Sequence, residues 1–445
     1  MAELDELCRR AIDAAEVGEQ VEVYAQEAKH TDVRARKGEV ESLEFSESRG
    51  LGVRVIRDSR LGYAYVADPS MDEVAEAVAT ARENATFGTA DPVNGLPDHP
   101  AEADPIPDIF REALAGASTA DKVALAVELE RIAITSDARV KKVEMASYGD
   151  AVSRIAIAST EGVAGGYERT DCWCVVDALA EDGETQSGFS FRLAHEPGDL
   201  ELQACGAEAA DRAARLLGAT KPASAKIPIV LDPHAAASFL GVLAGALTAE
   251  AVQKGRSLFA ELAGQQVGSS ALDVIDDGRL RGGPGTAPFD DECVPTARMQ
   301  LIEGGILRGF LHNTYTARRG DAISTGNASR AGYRSTPGVA PSNLFIGPGE
   351  LPPERLLERA EGGIFIQDVS GVHSGTNPIS GEFSVGATGL RISGGALGEP
   401  LREMTIASTI PEMLKAGVAC GNDLRFFSSV GCPTVLIGEM TVAGV

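Results

Sequence analysis

The sequence has little positive charge and few aromatic side chains. Its 445 residues include 40 Lys and Arg against 65 Asp and Glu, which gives a formal net charge of −25, and aromatic residues make up 5%. Such an acidic surface repels phosphate backbones and anionic headgroups. We therefore expect neither nucleic acid nor a membrane surface as a partner.

Long apolar runs, a leader sequence and a disulfide pattern are lacking as well. The longest uncharged apolar run, 235–249, has 15 residues, short of the roughly 20 that span a bilayer. The opening MAELDELCRR contains no apolar core of a signal peptide. The 7 Cys are odd in number and scattered, which does not indicate a secreted disulfide framework. The sequence predicts a protein of the reducing cytoplasm.

Histidine is scarce, and the familiar catalytic motifs are missing. The 6 His are dispersed, and no two have the helical spacing of a metal-ligand pair. There is no phosphate-binding P-loop, no GxSxG, no CxxC and no HExxH. Any metal site would need ligands from distant segments of the chain.

Hydrophobic periodicity predicts an α+β fold. We expect an N-terminal α/β portion with mixed sheets and covering helices, divided into subdomains at 1–90 and 110–220. A Pro- and Asp-rich linker at 87–107 separates the two. A C-terminal β-rich domain follows at 225–445, with one buried apolar helix at 235–251.

Three local patterns predict structure directly. Ser70 and Glu73 have the spacing of a capping box before an apolar helix. The pair Gly304-Gly305 between two strand patterns predicts a hairpin. Cys172-Trp173-Cys174, on a strand, places both thiols on one face, which favours core packing and leaves a metal or redox role as the alternative.

Carboxylate clusters and polar stretches are the remaining candidates for chemistry. The clusters at 276–277 and 290–292 are predicted to be solvated turns, with divalent-cation binding as the alternative. The stretches 312–320, 324–328 and 370–377 combine donors, acceptors and glycines, which is typical of ligand-holding loops. Ordered connections that satisfy their own backbone are the alternative interpretation.

At these stretches the chain resembles the TldD/PmbA family, and the likeness runs over nearly its whole length. It is carried by four segments: NTYTARRGDAISTGNASRAG at 313–332, SNLFIGPGE at 342–350, FSVGATGLRI at 383–392 and GNDLRFFSSVGCPTVLIGEMTVAGV from 421. The resemblance implies a cytoplasmic zinc-dependent peptidase in which a TldD-type chain pairs with a PmbA-type (TldE) chain. Unfolded or flexible peptides are then cut inside the enclosed space. An older label of the family is modulator of DNA gyrase.

The zinc motif distinguishes the two branches of that family. A TldD-type chain carries HExxxH on the buried helix, whereas the matching positions here, 241–246, read GVLAGA. Gly, Ala and Val neither bind zinc nor transfer a proton. The family's third ligand is a C-terminal Cys, for which Cys420 is the nearest match, and we expect it to be a small packed residue. The resemblance thus implies the PmbA (TldE) branch, with no catalytic residue, metal ligand or cofactor in this chain and zinc in a TldD-type partner.

We interpret the chain as a subunit that closes the chamber and holds an extended peptide by strand pairing, while the partner's zinc hydrolyses it. The candidate substrate-binding residues come from the polar stretches: Asn313, Tyr315, Arg318, Thr325, Asn327 and His373. Two alternatives stay open. One is a homodimeric peptide-binding protein without a peptidase partner, and the other is a hydrolase with a non-standard metal site formed by His234, His312, His373 and Cys420.

Overall fold

Helices and strands are both abundant in the computed structural model, which describes residues 1–98, 103–417 and 419–444. The predicted α+β class is confirmed. Residues 99–102 of the predicted linker, His99 among them, lie outside the described residues. Within the described ranges, no helix has both the length and the apolar character needed to cross a membrane.

The N-terminal half is built on one six-stranded sheet with the order β3-β2-β1-β4-β5-β6. All five strand pairings are antiparallel, whereas the sequence predicted mixed sheets. Short hairpins join most of its consecutive strands, and such turns impose antiparallel pairing. The elements in chain order are α1 (Ala2–Asp13), β1 (Gln20–Arg36), β2 (Glu39–Arg57), β3 (Arg60–Ala67), α2 (Met71–Phe87), α3 (Glu112–Ala115), α4 (Thr119–Ser136), β4 (Val140–Ser159), β5 (Ala164–Glu181), β6 (Thr185–Ala194) and α5 (Leu202–Ala214).

The predicted segments 1–90 and 110–220 share this sheet. Strand β1 pairs with β4 from Glu22–Ser159 to Ala35–Ala146. Helices α1 and α2 cover the β1–β3 half, and α4 and α5 cover the β4–β6 half. The capping box of Ser70 that begins α2 is confirmed.

A close approach of two strands shows how the β4–β5 half packs. A Cβ on Gly149 of β4 would lie 2.3 Å from the ring of Trp173 in β5, so glycine is needed for the indole to cover this point. The flanking Cys172 and Cys174 point to the opposite face, where both are fully buried. The predicted packed role of this cysteine pair is confirmed.

The C-terminal half contains a closed barrel and a second sheet. Strands β16, β15, β14, β7 and β20 form the barrel, which closes where β16 pairs with β20. The second sheet has the order β10-β9-β8-β13-β19-β18. The elements are β7 (Ala225–Leu231), α6 (Pro233–Ala246), α7 (Ala249–Gln253), β8 (Val274–Asp277), β9 (Arg298–Glu303), β10 (Ile306–Leu307), α8 (Thr314–Arg319), β11 (Ala328–Ser329), β12 (Gly338–Val339), β13 (Leu344–Ile346), α9 (Pro353–Arg359), β14 (Ile364–Ser370), α10 (Val372–Gly375), β15 (Glu382–Ser393), β16 (Ala396–Thr409), α11 (Ile410–Lys415), β17 (Ala419–Cys420), β18 (Arg425–Phe426), β19 (Val430–Cys432) and β20 (Val435–Ala443).

Helix α6 packs between the barrel and the second sheet, contacting β7 and β14 on one side and β13 and β19 on the other. It is shorter than the predicted helix at 235–251, because the chain leaves the helix after Ala246 and Thr248 caps α7. One face of α6, at Gly241 and Gly245, is exposed. The predicted buried helix therefore has an open side.

The predicted hairpin between β9 and β10 is confirmed. Gly304 and Gly305, at the turn, have φ angles of 53° and 76°. Both angles lie in the left-handed region that favours glycine.

Candidate functional site

Asp290 and Glu292 are buried and Asp291 is half-buried, so the 290–292 cluster is not the solvated turn that the sequence predicted. Asp290 accepts hydrogen bonds from the backbone N–H groups of Glu292, Val294 and Ala328, each at 2.9 Å. Glu292 accepts one from the backbone N–H of Thr314, also at 2.9 Å. The cluster therefore fixes the start of α8 and the β11 segment, which bound the predicted ligand-holding loop.

A buried ion-pair network joins this cluster to the N-terminal sheet. The Arg54 Nη2 of β2 lies 2.6 Å from a Glu22 oxygen of β1 and 2.9 Å from a Glu292 oxygen. Arg330 also pairs with Glu22, and its backbone N–H donates to Asp291 at 2.7 Å. Arg54 is only 5% exposed. Charges from the two halves of the chain thus neutralise one another across their contact.

Burial and neighbouring charges shift the pKa values of these three carboxyl groups in different directions. Burial and the neighbouring Glu292 charge raise the pKa of Asp290 well above its usual value. Burial raises the pKa of Asp291 to about 6. Burial also opposes ionisation of Glu292, but the Arg54 guanidinium and the Thr314 N–H outweigh it and lower its pKa. Glu292 is therefore the ionised partner of Arg54, and Asp290 holds a proton more readily.

A cavity of about 710 Å³ lies beside this network, between β2, the 89–95 segment and α8. The Tyr315 hydroxyl lies within it and donates to Asp91 at 2.9 Å. Arg319 donates to the same hydroxyl at 3.0 Å. Arg54 also lines the cavity, and its Nε is buried without a hydrogen-bond partner among the described residues. The cavity is polar and offers both donors and acceptors.

Two predicted site residues hold α8 in place beside the cavity. Asn313 is the buried N-cap, accepting from the Thr316 N–H at 2.9 Å and donating to the Gly338 carbonyl at 3.2 Å. Arg318 donates to the Leu96 carbonyl at 2.6 Å and pairs with Asp98 at 3.2 Å. The contacts of these two side chains satisfy backbone hydrogen-bonding groups and tether the 91–98 segment.

Thr325 and Asn327 form a separate polar cluster below the loop. The Thr325 hydroxyl donates to the Asn327 side-chain oxygen, and the Asn327 amide donates to Asp276, both at 2.6 Å. Burial raises the pKa of Asp276 to about 6 although that amide opposes the shift. Asp276 is fully enclosed, which corrects the prediction of a solvated turn at 276–277.

His373 is not brought to the same cavity. It lies on α10 and borders a groove of about 620 Å³ along the open face of α6, which Ser238, Gly241 and Val242 also line. A Cβ on Gly241 or on Gly245 would meet no atom within 4 Å. The structure thus separates the six predicted residues into a cavity wall, a buried cluster and a groove.

The residues of α6 do not fit a zinc ion. Gly241 is exposed on the groove, whereas Ala246 is 1% exposed in the hydrophobic core. Neither residue has a side-chain atom that could bind a metal. Among the described residues, no group of three His, Cys, Asp or Glu is placed to hold a metal.

The alternative metal site is not assembled either. His234 stacks on Phe189 and lies 3.3 Å from Asp368, while Cys420 is in β17, where burial raises the pKa of its thiol to about 12. His312 and His373 belong to the loop before α8 and to α10. No three of these four side chains form a cluster.

Sequence reasoning missed Arg54, Glu22 and Arg330. Glu22 and Arg54 alternate with valines in β1 and β2, a pattern typical of a strand with one solvated face. That face is covered by the C-terminal half, which no local pattern reveals. The acidic run at 290–292 was the available signal of this ion-pair network, because three adjacent carboxylates need either water or buried partners.

Comparison with known proteins gives matches over almost the whole chain. Models of the PmbA/TldA metallopeptidase match at residues 21–85 (domain 1), 112–217 (central domain) and 224–444 (C-terminal domain). The chain is 28% identical to Metalloprotease PmbA of Escherichia coli O157:H7, over 95% of this chain and 92% of that protein.

Solved structures agree with these matches. A Thermotoga maritima protein described as a candidate modulator of a DNA gyrase superposes with a TM-score of 0.92 at 27% identity, over 99% of this chain and 100% of its own. TldE from Thermococcus kodakarensis shares the fold, with a TM-score of 0.90 at 20% identity and 99% of each chain covered. The chain therefore belongs to the PmbA/TldD metallopeptidase family.

Proposed function

We propose that this chain is the zinc-free subunit of a two-chain metallopeptidase, in which a TldD-type partner carries HExxxH and cuts unfolded or flexible peptides. The observation that supports it is the 241–246 segment of α6. Gly241, Val242 and Ala246 supply no metal ligand and no general base, although the surrounding fold is that of the family. The seven free cysteines, all buried, fit a reducing cytoplasm.

In this proposal the chain contributes surfaces for substrate and partner. The cavity beside Tyr315 and the groove beside His373 are two places where an extended peptide can find donors and acceptors. The open face of α6 lacks side chains that would block a peptide backbone from approaching. Asn313 lines the cavity, whereas Arg318, Thr325 and Asn327 hold neighbouring segments in place.

A three-arm peptidase assay tests the proposal. This chain alone, a TldD-type chain alone and their mixture are each incubated with an unfolded protein substrate, and new amino termini are measured. Activity is expected only in the mixture, together with co-elution of the two chains in size-exclusion chromatography.

Metal analysis of each chain accompanies the assay. Zinc is expected at about one equivalent in the TldD-type chain and below about a tenth in this one. Undiminished activity of the TldD-type chain alone, or the absence of a complex, would refute the two-chain proposal. A stable homodimer that binds peptide without any partner would instead support the peptide-binding alternative.

A further inference from the structure

The outer part of β2 is a free strand edge. Strand β3 pairs with β2 only from Gly50 to Arg57, whereas β1 pairs with β2 along its whole length. No backbone hydrogen bond from any described residue reaches the other edge of β2 between residues 40 and 48. The backbone groups of residues 40–48 that point to this edge are therefore open to pairing with another strand.

The direction of the open hydrogen-bonding groups follows from the neighbouring ladder. Asp68 donates its N–H to the Arg49 carbonyl at 2.9 Å, on the β3 side of the strand. Backbone groups of a strand point alternately to its two edges, and the β1–β2 register is unbroken from here to Ser42. Leu43, Phe45 and Glu47 therefore direct their N–H and C=O groups to the free edge.

Apolar side chains along this edge form an exposed strip. Phe45 is 65%, Leu43 47% and Val40 43% exposed. They share a sheet face with their β1 partners Thr31, Val33 and Ala35, which are buried, the last two in the core beneath α4. The apolar face of the sheet thus continues past its helical cover to an edge that offers both hydrogen bonds and contact area.

The opposite face of this edge carries uncompensated negative charge. Glu44 lies directly across from Asp32 of β1, and neither carboxylate forms an ion pair with any described residue. Like charges at directly opposed positions destabilise a strand pair. Burial, and then the Glu44 charge, raise the pKa of Asp32 against the influence of Arg34. A cation placed beside Glu44 would relieve this repulsion.

We propose that the outer edge of β2, residues 40–48, docks an extended segment of another polypeptide in which basic and apolar side chains alternate. The apolar side chains would lie beside Leu43 and Phe45, and the basic ones beside Glu44. A second copy of this chain fits less well, because antiparallel pairing of two such edges centred on Glu44 brings the unpaired Glu44 carboxylates of both copies together. The inference stands apart from the peptidase proposal, since residues 40–48 line neither the cavity beside Tyr315 nor the groove along α6.

A labelled peptide tests this surface. Fluorescence anisotropy follows binding of the amidated peptide TKVKIKVKT to the full chain at low salt, with TEVEIEVET as the charge-reversed probe. The basic peptide is expected to bind saturably, at least about tenfold more tightly than the acidic one, and more weakly as salt rises.

Two variants identify the edge. Phe45→Pro removes an N–H that points away from β1, so the strand is retained while the free edge is blocked, and Glu44→Lys reverses the charge. Each is expected to weaken binding at least about tenfold, whereas Ile323→Thr, which removes an exposed apolar side chain elsewhere, leaves it unchanged. Circular dichroism checks that each variant is folded.

The proposal fails if the folded Phe45→Pro variant binds the basic peptide as the parent does, if both peptides bind equally, or if no saturable binding occurs. Self-association of the parent chain that Phe45→Pro abolishes, without peptide binding, would assign the edge to a second copy instead. None of these outcomes depends on peptidase activity, so they are distinguishable from a failure of the two-chain proposal.

Discussion

At the scale of single residues, buried ion pairs join the two halves of the chain. Arg54 is enclosed by Glu22 and Glu292, and Arg330 completes the neutralisation of Glu22. Such groups are costly to bury unless every charge is paired. The contact between the N-terminal sheet and the C-terminal half is therefore specific to these residues and intolerant of their loss.

We predict that Arg54→Ala lowers the free energy of unfolding by about 3–5 kcal/mol, because it leaves the buried Glu292 without its cation and Glu22 with Arg330 alone. Urea unfolding followed by circular dichroism measures the change. Arg57→Ala, on the same strand but half exposed, is the matched control and is expected to cost less than about 1 kcal/mol. Equal effects of the two substitutions would contradict a special role for the buried network.

At the scale of elements, α6 is a helix whose open face is made by glycine. Gly241 and Gly245 face the groove, and an added Cβ at either position would meet no atom. The glycines are therefore not required by packing, and they weaken the helix by their conformational freedom. Gly206 in α5 differs, since a Cβ there would lie 2.6 Å from the Ile132 side chain.

We expect Gly241→Ala and Gly245→Ala each to raise the free energy of unfolding by about 0.4–1 kcal/mol, since alanine restricts the unfolded chain without a clash in the folded one. Gly206→Ala, the control within another helix, is expected to lower it by about 1–3 kcal/mol through overpacking. Thermal unfolding of the three variants gives the comparison. Destabilisation by both α6 substitutions would show that the groove is closed in solution.

At the scale of the whole molecule, three aspartates with raised pKa values, Asp276 buried and Asp177 and Asp291 half-buried, link stability to pH. Burial is the main cause that raises the pKa values of Asp177, Asp276 and Asp291 to about 6, from an ordinary value of 3.8. The folded protein then binds more protons than the unfolded chain between about pH 4 and 6. Stability from these groups is present in full below about pH 4 and is lost as the pH rises through 6.

The resulting prediction is a free energy of unfolding that decreases from about pH 4.5 to pH 7, measured by urea titration at fixed ionic strength. Glu208 acts in the opposite sense at lower pH, because its partner Arg425 outweighs burial and lowers its pKa to about 2. Asp276→Asn is expected to make the decrease between pH 4.5 and 7 shallower. A steady rise in stability over that range would contradict the assignment.

Some features of the fold could be predicted from the sequence, and others could not. The α2 capping box, the Gly304-Gly305 hairpin and the buried Cys172 and Cys174 followed from local patterns, because each depends on neighbours in the chain. The sharing of one sheet by β1 and β4 did not, because that pairing joins residues more than a hundred positions apart. The end of α6 at Ala246 was not predicted, because Leu247 and Thr248 are as compatible with a continuing apolar helix as with a helix cap.

The sequence by itself determined the α+β class, the family and the absence of HExxxH ligands at 241–246, since these depend on residue types and their order. Only the tertiary structure decided the roles of the polar residues. It buried Asp290 and Glu292, placed Tyr315 on a cavity and His373 on a separate groove, and left the β2 edge open. The physical reason is that burial, charge pairing and strand edges are set by distant segments, whose approach no local pattern encodes.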